Sequence, residues 1–341
     1  MKLALIGLSG SGKTTYLILL HGMIADRDRF IPIEPALPDI KKMLRRFRFL
    51  EMAAEGVYSA SFLLNQINKT WMVGKGTMKT ITHGQLKRYL MRISVPIYRN
   101  EKAPPINVVM DILDPTGDAL TLLERVFERV DSELGLDPRR TREAVINELE
   151  KRVKTEKNKE MSSWAKELLQ LLQTTDYDGF LVFIDPLKSK KTDIQPTLYS
   201  LLKVLVNAQK KSHLTLSVVF SKAIARGFVD LSGIDIHNMP MEFYEENIYW
   251  NALDRVEAYG MISMLITNLM CNKKKIRFAG AFFYDAFISA DGENPRPKRM
   301  EDGTLYIESL TPYLPLIHTI HVHYNKRSFL NYEDIVQRFC I

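Results

Sequence analysis

The sequence has little cysteine and no long apolar run. Its 341 residues include two cysteines, Cys271 and Cys340, which cannot form a disulfide framework and do not lie in a metal-ligand spacing. No stretch approaches the ~18 consecutive apolar residues that a membrane span requires. Met1 leads directly into a strand-like segment, so we expect no signal or transit peptide. We therefore expect a cytoplasmic, reducing location and no membrane span.

Strong charge of one sign is also missing. The formal net charge is +7, with 46% apolar and 26% charged residues, which is ordinary for a globular protein. A charge of this size favours an acidic partner without requiring nucleic acid. The length allows one large domain or two smaller ones.

The N-terminal segment carries the strongest motif. Residues 7–15 read Gly-Leu-Ser-Gly-Ser-Gly-Lys-Thr-Thr and fit the phosphate-loop pattern G-x-x-x-x-G-K-[ST] without a mismatch. A strand-like run precedes them at residues 2–6, and a helix-forming run follows at residues 15–24. Strand, glycine loop and helix together aim backbone N–H groups at phosphate oxygens. The candidate phosphate contacts are Ser9, Gly10, Ser11, Gly12, Lys13, Thr14 and Thr15.

Two side chains of this motif have specific expected roles. Lys13 supplies a cation for the β- and γ-phosphates, and the Thr14 hydroxyl is a ligand for Mg²⁺. The motif and its context predict that the protein binds a nucleoside triphosphate.

A second motif follows an apolar strand at residues 106–113. The strand ends in Asp114, and Pro-Thr-Gly117-Asp118 comes next. In phosphate-loop enzymes an Asp at the end of a neighbouring strand holds Mg²⁺, so Asp114 is a metal-site candidate. Gly117 is a candidate for donating its N–H to the γ-phosphate, because glycine lets the backbone come close.

A glycine-rich segment lies between these two motifs. Residues 74–77 read Gly-Lys-Gly-Thr, where a nucleotide switch would carry a metal-binding threonine. Thr77 is the candidate for this role, with Thr80 and Thr82 as competitors. A plain hairpin turn explains the same residues about as well.

Residues 111–118, Asp-Ile-Leu-Asp-Pro-Thr-Gly-Asp, resemble the D-I-L-D-T-A-G-Q segment of Ras-like GTPases. The resemblance implies catalytic roles for Lys13, Thr77 and Asp118. Asp118 replaces the water-orienting Gln of the family, which implies slow hydrolysis, although a carboxylate can also orient water.

The base end of the predicted site departs further from the family. Residues 221–224 read Ser-Lys-Ala-Ile where GTPases carry [NT]-K-x-D. Lys222 can stack against a purine, whereas Ile224 cannot accept the hydrogen bonds of guanine. Ser289 and Ala290 are similar to the S-A base-contact turn of the same superfamily.

Three longer segments are similar to the double-GTPase group of prokaryotic TRAFAC-class proteins. They are residues 7–17, 71–77 and 179–186. This resemblance implies a GTPase-like switch that works beside partner proteins.

Two other segments suggest interactions. Residues 39–50 read as an amphipathic basic helix, which would meet a membrane surface, a nucleic acid or a partner's phosphates, or be a solvated helix face. His318, His321 and His323 form a weak candidate metal site, with His321 and His323 on one strand face.

Together these patterns predict a three-layer α/β fold with a mostly parallel central sheet, similar to a G domain. We expect a G-domain-like unit over residues 1–291 with a helical insertion at about 119–175. Residues 292–341 would be an extension packed on the same domain. The predicted function is a Mg²⁺-dependent switch that binds GTP, or ATP, hydrolyses it slowly and signals to a partner protein or a second copy. A small-molecule or nucleotide kinase and a non-hydrolysing nucleotide-binding scaffold are the alternatives.

Overall fold

A computed structural model of the chain describes most of its regular structure. The described residues are 1–8, 10–35, 40–55, 87–97, 102–115, 117–134, 138–173, 176–185, 194–209, 211, 213–224, 227–231, 239–245, 276–286, 298–299, 301 and 305–325. Four residues of the predicted site, Ser9, Thr77, Ser289 and Ala290, lie outside these ranges.

The strands form a large sheet and a small one. The strands are β1 (Lys2–Gly7), β2 (Phe30–Ile33), β3 (Arg48–Glu55), β4 (Lys87–Val95), β5 (Ile106–Asp114), β6 (Gly179–Ile184), β7 (Leu214–Ser221), β8 (Ile276–Tyr284), β9 (Lys298–Arg299) and β10 (Leu305–Leu310). The large sheet has the order β3-β4-β5-β1-β6-β7-β8, and the small one has the order β2-β10-β9. Strands β6 and β7 are buried along their whole length, as expected of central parallel strands that are covered on both faces.

Pairing in the large sheet is parallel except at one edge. Strands β5, β1, β6, β7 and β8 pair in parallel, whereas β3 and β4 run antiparallel to their neighbours. The predicted strands at residues 2–6 and 106–113 are confirmed, and so is a mostly parallel central sheet.

The helices connect these strands. They are α1 (Lys13–Ala25), α2 (Ile40–Leu44), α3 (Gly117–Leu134), α4 (Pro138–Thr155), α5 (Lys159–Gln173), α6 (Ile194–Ala208), the single turn α7 (Met241–Phe243) and α8 (Leu314–Asn325). Helices α3, α4, α5 and α6 pack against one another. The apolar side chains of these four helices recur at helical spacing. Burial of these side chains explains why segments that are otherwise rich in charge fold as a layer of helices.

Helices α1 and α8 cover one face of the sheet. Strand residues two apart point to the same face, and Phe282 and Tyr284 on β8 are such a pair. The Phe282 ring contacts His318 of α8, and the Tyr284 ring contacts Tyr16 of α1. The two helices therefore share a face, which is compatible with a three-layer α/β fold.

Three predictions from the sequence are corrected by the structure. The basic stretch 39–50 is not one helix, because α2 ends at Leu44 and β3 begins at Arg48. Pairing with β4 supplies the backbone hydrogen bonds of Arg48 and Phe49, so sheet formation overrides the helical pattern there. The apolar run from Arg277 to Phe287 in the sequence predicts one strand, whereas strand β8 ends at Tyr284.

The third correction concerns the histidines, which lie on helix α8 and not on a strand. His318 is buried, His323 Nδ1 is 3.1 Å from the Thr215 hydroxyl, and His321 Nδ1 is 3.0 Å from the Asn325 amide. Burial lowers the pKa of His318 to about 3. In the described ranges, no three His, Cys, Asp or Glu side chains gather into a metal-binding group.

None of the helices in the described part of the chain has the length and the apolar character that a bilayer crossing requires.

Candidate functional site

The candidate site lies where strand β1 passes into helix α1. Gly7 is the last residue of β1 and pairs with Phe183 of β6. A Cβ atom at Gly7 would collide with the Phe183 carbonyl oxygen and would come within 2.5 Å of Ser11 Oγ. Only glycine therefore lets the chain turn away from the sheet at this point.

The loop after β1 turns tightly before the helix begins. Ser11 N–H donates to the Leu8 carbonyl at 3.1 Å, which closes a turn. Gly10 and Gly12 have φ angles of 75° and 90°, in the left-handed region that favours glycine. The motif has glycine at these two positions because the loop bends there with positive φ angles.

Lys13 fills the centre of this loop. It is the first residue of α1 and only 3% exposed, and its Nζ donates to Gly7 O at 2.7 Å and to Leu8 O at 3.1 Å. Its Nζ also lies 3.5 Å from Ser11 Oγ. The ammonium group is thus held where the carboxyl end of β1 meets the N-terminus of a helix.

The first turn of α1 has the electrostatics of an anion site. The first N–H groups of a helix have no carbonyl partner within the helix, and the helix dipole adds positive potential there. The first turn contains no acidic residue, and the N-cap Gly12 has no side chain that could occupy these donors. Thr14 and Thr15 lie in this turn and are half-buried. The segment can therefore hold a phosphate group, as other helix N-termini of this kind do.

Strand β5 brings the second motif beside the first. It pairs in parallel with β1, and Leu5 lies opposite Ile112. Asp114, two residues further along β5, is therefore level with Gly7. Helix α3 begins at Gly117, and Asp118 is an exposed residue of its first turn. The backbone of Asp114, Gly117 and Asp118 therefore lies at the carboxyl end of the parallel strands, and the loop after β1 lies at the same end.

Asp111 has a different environment from the end of its strand. It is fully buried in β5, and its carboxylate accepts a hydrogen bond from the Tyr177 hydroxyl at 2.9 Å. Asp111 therefore belongs to the core packing and not to the loop.

Lys222 connects the end of β7 to the loop. Its Nζ donates to the Gly10 carbonyl at 3.0 Å and to Asp185 Oδ2 at 2.8 Å. Lys222 has a φ angle of 60°, so the chain turns sharply immediately after the strand. A Cβ atom added at Gly12 would lie 3.3 Å from the Cβ atom of Ser221. The ends of β1, β6 and β7 therefore meet around residues 10–13.

Two buried carboxylates, which the sequence motifs did not identify, lie at this carboxyl end of the strands. Asp185 follows β6 and is 3% exposed, and Asp285 follows β8 and is 1% exposed. Asp285 Oδ2 accepts a hydrogen bond from the Ile224 N–H at 2.9 Å and thereby braces the turn that carries Lys222. Both acids directly follow apolar strands, and that position was the signal that could have found them.

The residues fit the cofactors that the motifs imply. Mg²⁺ in nucleotide sites is held by one or two protein oxygens together with substrate phosphates. The Thr14 hydroxyl in the first turn of α1 and a carboxylate at position 114 are donors of this kind.

Comparison with known proteins leaves the family open. No protein-family model matches this chain, and no curated protein does either.

Proposed function

We propose that the protein is a GTPase-like switch that binds a nucleoside triphosphate with Mg²⁺ and hydrolyses it slowly. One observation carries the proposal: the loop of residues 7–13 closes around the buried Lys13 ammonium at the N-terminus of α1. A cation and a helix N-terminus that meet in a glycine-bent loop favour a phosphate chain.

The sheet order supports the same proposal. Strand β5, the next strand that pairs in parallel with β1, lies on one side of β1, and β6 lies on the other side. Ligands of open α/β sheets bind at the carboxyl ends of the strands where the strand order reverses. The loop is at such a reversal, and the D-x-x-G segment follows the strand next to it.

The chain's own residues have separate tasks in this proposal. Lys13 binds the β- and γ-phosphates, and Thr14, Asp114 and Thr77 hold the metal. The metal, when bound, neutralises charge on the transferred phosphoryl group. Gly117 N–H contacts the γ-phosphate and Asp118 orients the attacking water.

The base contacts are the least family-like part of the proposal. Lys222 is the proposed contact to the base, together with Ser289 and Ala290 of the predicted base-contact turn. Its ammonium already bonds Gly10 O and Asp185, so its aliphatic stem is the part that packs on a purine. We propose GTP as the preferred nucleotide and ATP as the alternative.

A phosphate-release assay tests the proposal. We expect Mg²⁺-dependent turnover of GTP or ATP that Lys13→Ala lowers about 10- to 100-fold, since charge-assisted hydrogen bonds to the phosphates are lost. Lys154→Ala, at an exposed position of α4, is the matched control and should keep wild-type turnover. Equal turnover in wild type and Lys13→Ala would overturn the proposal.

A non-hydrolysing scaffold is the second candidate, because of Asp118. This carboxylate is exposed in the first turn of α3 and stands where the family carries Gln. Tight nucleotide binding with no phosphate release over hours, alone and with a partner protein, would favour this candidate.

A further inference from the structure

Four arginines gather at one corner of the molecule, away from the loop of Lys13. Arg27 lies in the turn between α1 and β2, Arg45 and Arg46 follow α2, and Arg48 begins β3. We call these four residues the arginine corner. Arg27, Arg45 and Arg48 are exposed, and Arg46 is half-buried.

Two guanidinium groups of this corner share the same acceptors. Arg27 donates to Arg45 O at 3.3 Å and to Phe47 O at 3.2 Å. Arg48 donates to the same two carbonyls, at 2.6 Å and 3.0 Å. Two like charges are thus held side by side, and each keeps further N–H donors for an external group. This arrangement is preorganised for an anion that accepts from both.

Two carboxylates near the corner are engaged elsewhere. Asp26 forms an ion pair with Arg29, and Glu51 forms one with Arg92. In the part of the chain that the structure describes, none of the four arginines has a carboxylate within ion-pair distance. Arginine matches phosphate oxygens with its planar fork of donors, so a phosphate-bearing partner fits this corner.

An exposed leucine lies next to these charges. The pairing of β3 with β4 shifts between Phe49 and Glu51, which makes Leu50 the extra residue of a β-bulge. Bulges re-aim side chains at sheet edges, and Leu50 is 50% exposed. Arginines around an exposed apolar side chain are typical of surfaces that dock on anionic bilayers.

The nearby aromatic rings disfavour a nucleic-acid strand as the partner. Phe47 is fully buried, and Phe49 is half-buried with its ring against His21. Single-stranded nucleic acids are held by bases that stack on accessible aromatic rings. The described residues of the corner offer no such platform.

We propose that the arginine corner and Leu50 form a docking surface for an anionic phospholipid bilayer. The guanidinium groups bind headgroup phosphates, and Leu50 enters the boundary between headgroups and acyl chains. This surface is separate from the nucleotide site and does not depend on the proposed switch.

Vesicle co-sedimentation tests the proposal with the full chain. The probes are phosphatidylcholine vesicles with and without phosphatidylglycerol, at low and at high salt. We expect binding only to the anionic vesicles and weaker binding at high salt. Arg45→Gln/Arg46→Gln removes two charges and no described side-chain hydrogen bond, so it should fold and bind about 10- to 30-fold more weakly.

Three further variants sharpen the test. Arg27→Gln/Arg48→Gln should weaken binding to a similar degree, and Leu50→Ser should weaken it severalfold at both salt concentrations. Arg125→Gln/Lys151→Gln removes the same charge from exposed positions on α3 and α4 and should bind as the wild type does. Thermal melts of each variant verify that it is folded.

Four results would overturn the proposal. They are no binding of the wild type to anionic vesicles, equal binding to neutral vesicles, equal loss in the control variant, and preferential binding to duplex or single-stranded nucleic acid. An equal loss in the control variant would mean that the arginine corner contributes only to the net charge of the protein.

Discussion

The phosphate end and the base end of the candidate site are built in different ways. At the phosphate end, Gly7, Gly10, Gly12 and Lys13 are neighbours in the sequence, and the loop bends around its own lysine. At the base end, Lys222 meets Asp185 and Gly10 from other parts of the chain. A local site depends on backbone conformation, whereas an assembled site depends on the sheet that brings its parts together.

This difference predicts how each end responds to change. A substitution at the phosphate end should disturb the loop directly, because a backbone atom lies where a new side chain would go. A substitution at the base end should change a few hydrogen bonds and leave the fold intact. The four predictions below test this contrast, from the largest expected effect to the smallest.

Gly7→Ala should have the largest effect. Its Cβ would meet a backbone carbonyl, Phe183 O, which cannot rotate away. We expect a loss of about 3 kcal/mol in the free energy of unfolding, measured by denaturant titration, together with the loss of nucleotide binding.

Gly227→Ala is the matched control for Gly7→Ala. Gly227 has a positive φ, 70°, and among the described residues no atom lies within 4 Å of the added Cβ. It should cost about 1 kcal/mol from backbone strain alone. Equal costs at the two positions would contradict the account of the loop.

Glu34 tests whether the phosphate end depends only on residues that are close together in the sequence. It follows β2, and its Oε1 accepts hydrogen bonds from Tyr313 N–H and, at 3.2 Å, from Leu314 N–H at the start of α8. Burial raises the pKa of Glu34 to about 8 from its ordinary 4.5. The carboxyl group is therefore protonated in the folded state at pH values where the unfolded state has lost its proton.

The sign of the pH dependence follows from this proton. The folded state binds more protons than the unfolded state between pH 4.5 and 8, so stability falls as pH rises through this window. Between pH 6.5 and 8 we expect a loss of about 2 kcal/mol, which Glu34→Gln should abolish. His318 acts oppositely and below this range, because its lowered pKa costs stability as pH falls from 6.5 towards 3. Parallel pH profiles of wild type and Glu34→Gln would refute this role.

At the base end we expect a smaller effect on stability, confined to the ion pair between Lys222 and Asp185. Lys222→Met removes the partner of Asp185 Oδ2, a buried atom, while Lys222 itself is 36% exposed. We expect a double-mutant cycle of Lys222→Met and Asp185→Asn to give a coupling energy of about 1 kcal/mol in unfolding, after allowance for solvent screening. Additive costs would mean that the bridge does not hold the two strand ends together.

Ile224→Asp should have the smallest effect and concerns base preference alone. It restores a carboxylate at the position where Ras-like proteins carry one, so the ratio of GTP to ATP affinity should rise severalfold. Ile224→Asn is the neutral control, since it adds polarity without the charge. An unchanged ratio in Ile224→Asp would mean that the base does not reach this turn.

The sequence predicted the local parts of the structure well. The strand before Gly7, the helix after Gly12 and the apolar strand β5 follow from short-range patterns and are confirmed. The basic stretch 39–50 was predicted wrongly, because pairing of β3 with β4 decides its conformation and a helical pattern does not encode that partner. The strand face predicted for His321 and His323 was also wrong, because both lie on helix α8.

The long-range contacts could not be predicted in the same way. Asp185 and Asp285 become part of the site only because β6 and β8 end at the same edge as β7. Their roles depend on which strands are neighbours, and one sequence does not specify that order. Glu34 is similar, since the helix that it caps lies 280 residues further along the chain.

Nucleotide binding to Lys13 is the central claim, and calorimetric titration measures it most directly. Non-hydrolysable GTP and ATP analogues are titrated with Mg²⁺ into the wild type, Lys13→Ala and Lys154→Ala. The account predicts saturable one-to-one binding that requires Mg²⁺, weakens at least about 10-fold in Lys13→Ala and persists in Lys154→Ala. Absence of binding for both analogues, or equal affinity in wild type and Lys13→Ala, would contradict it.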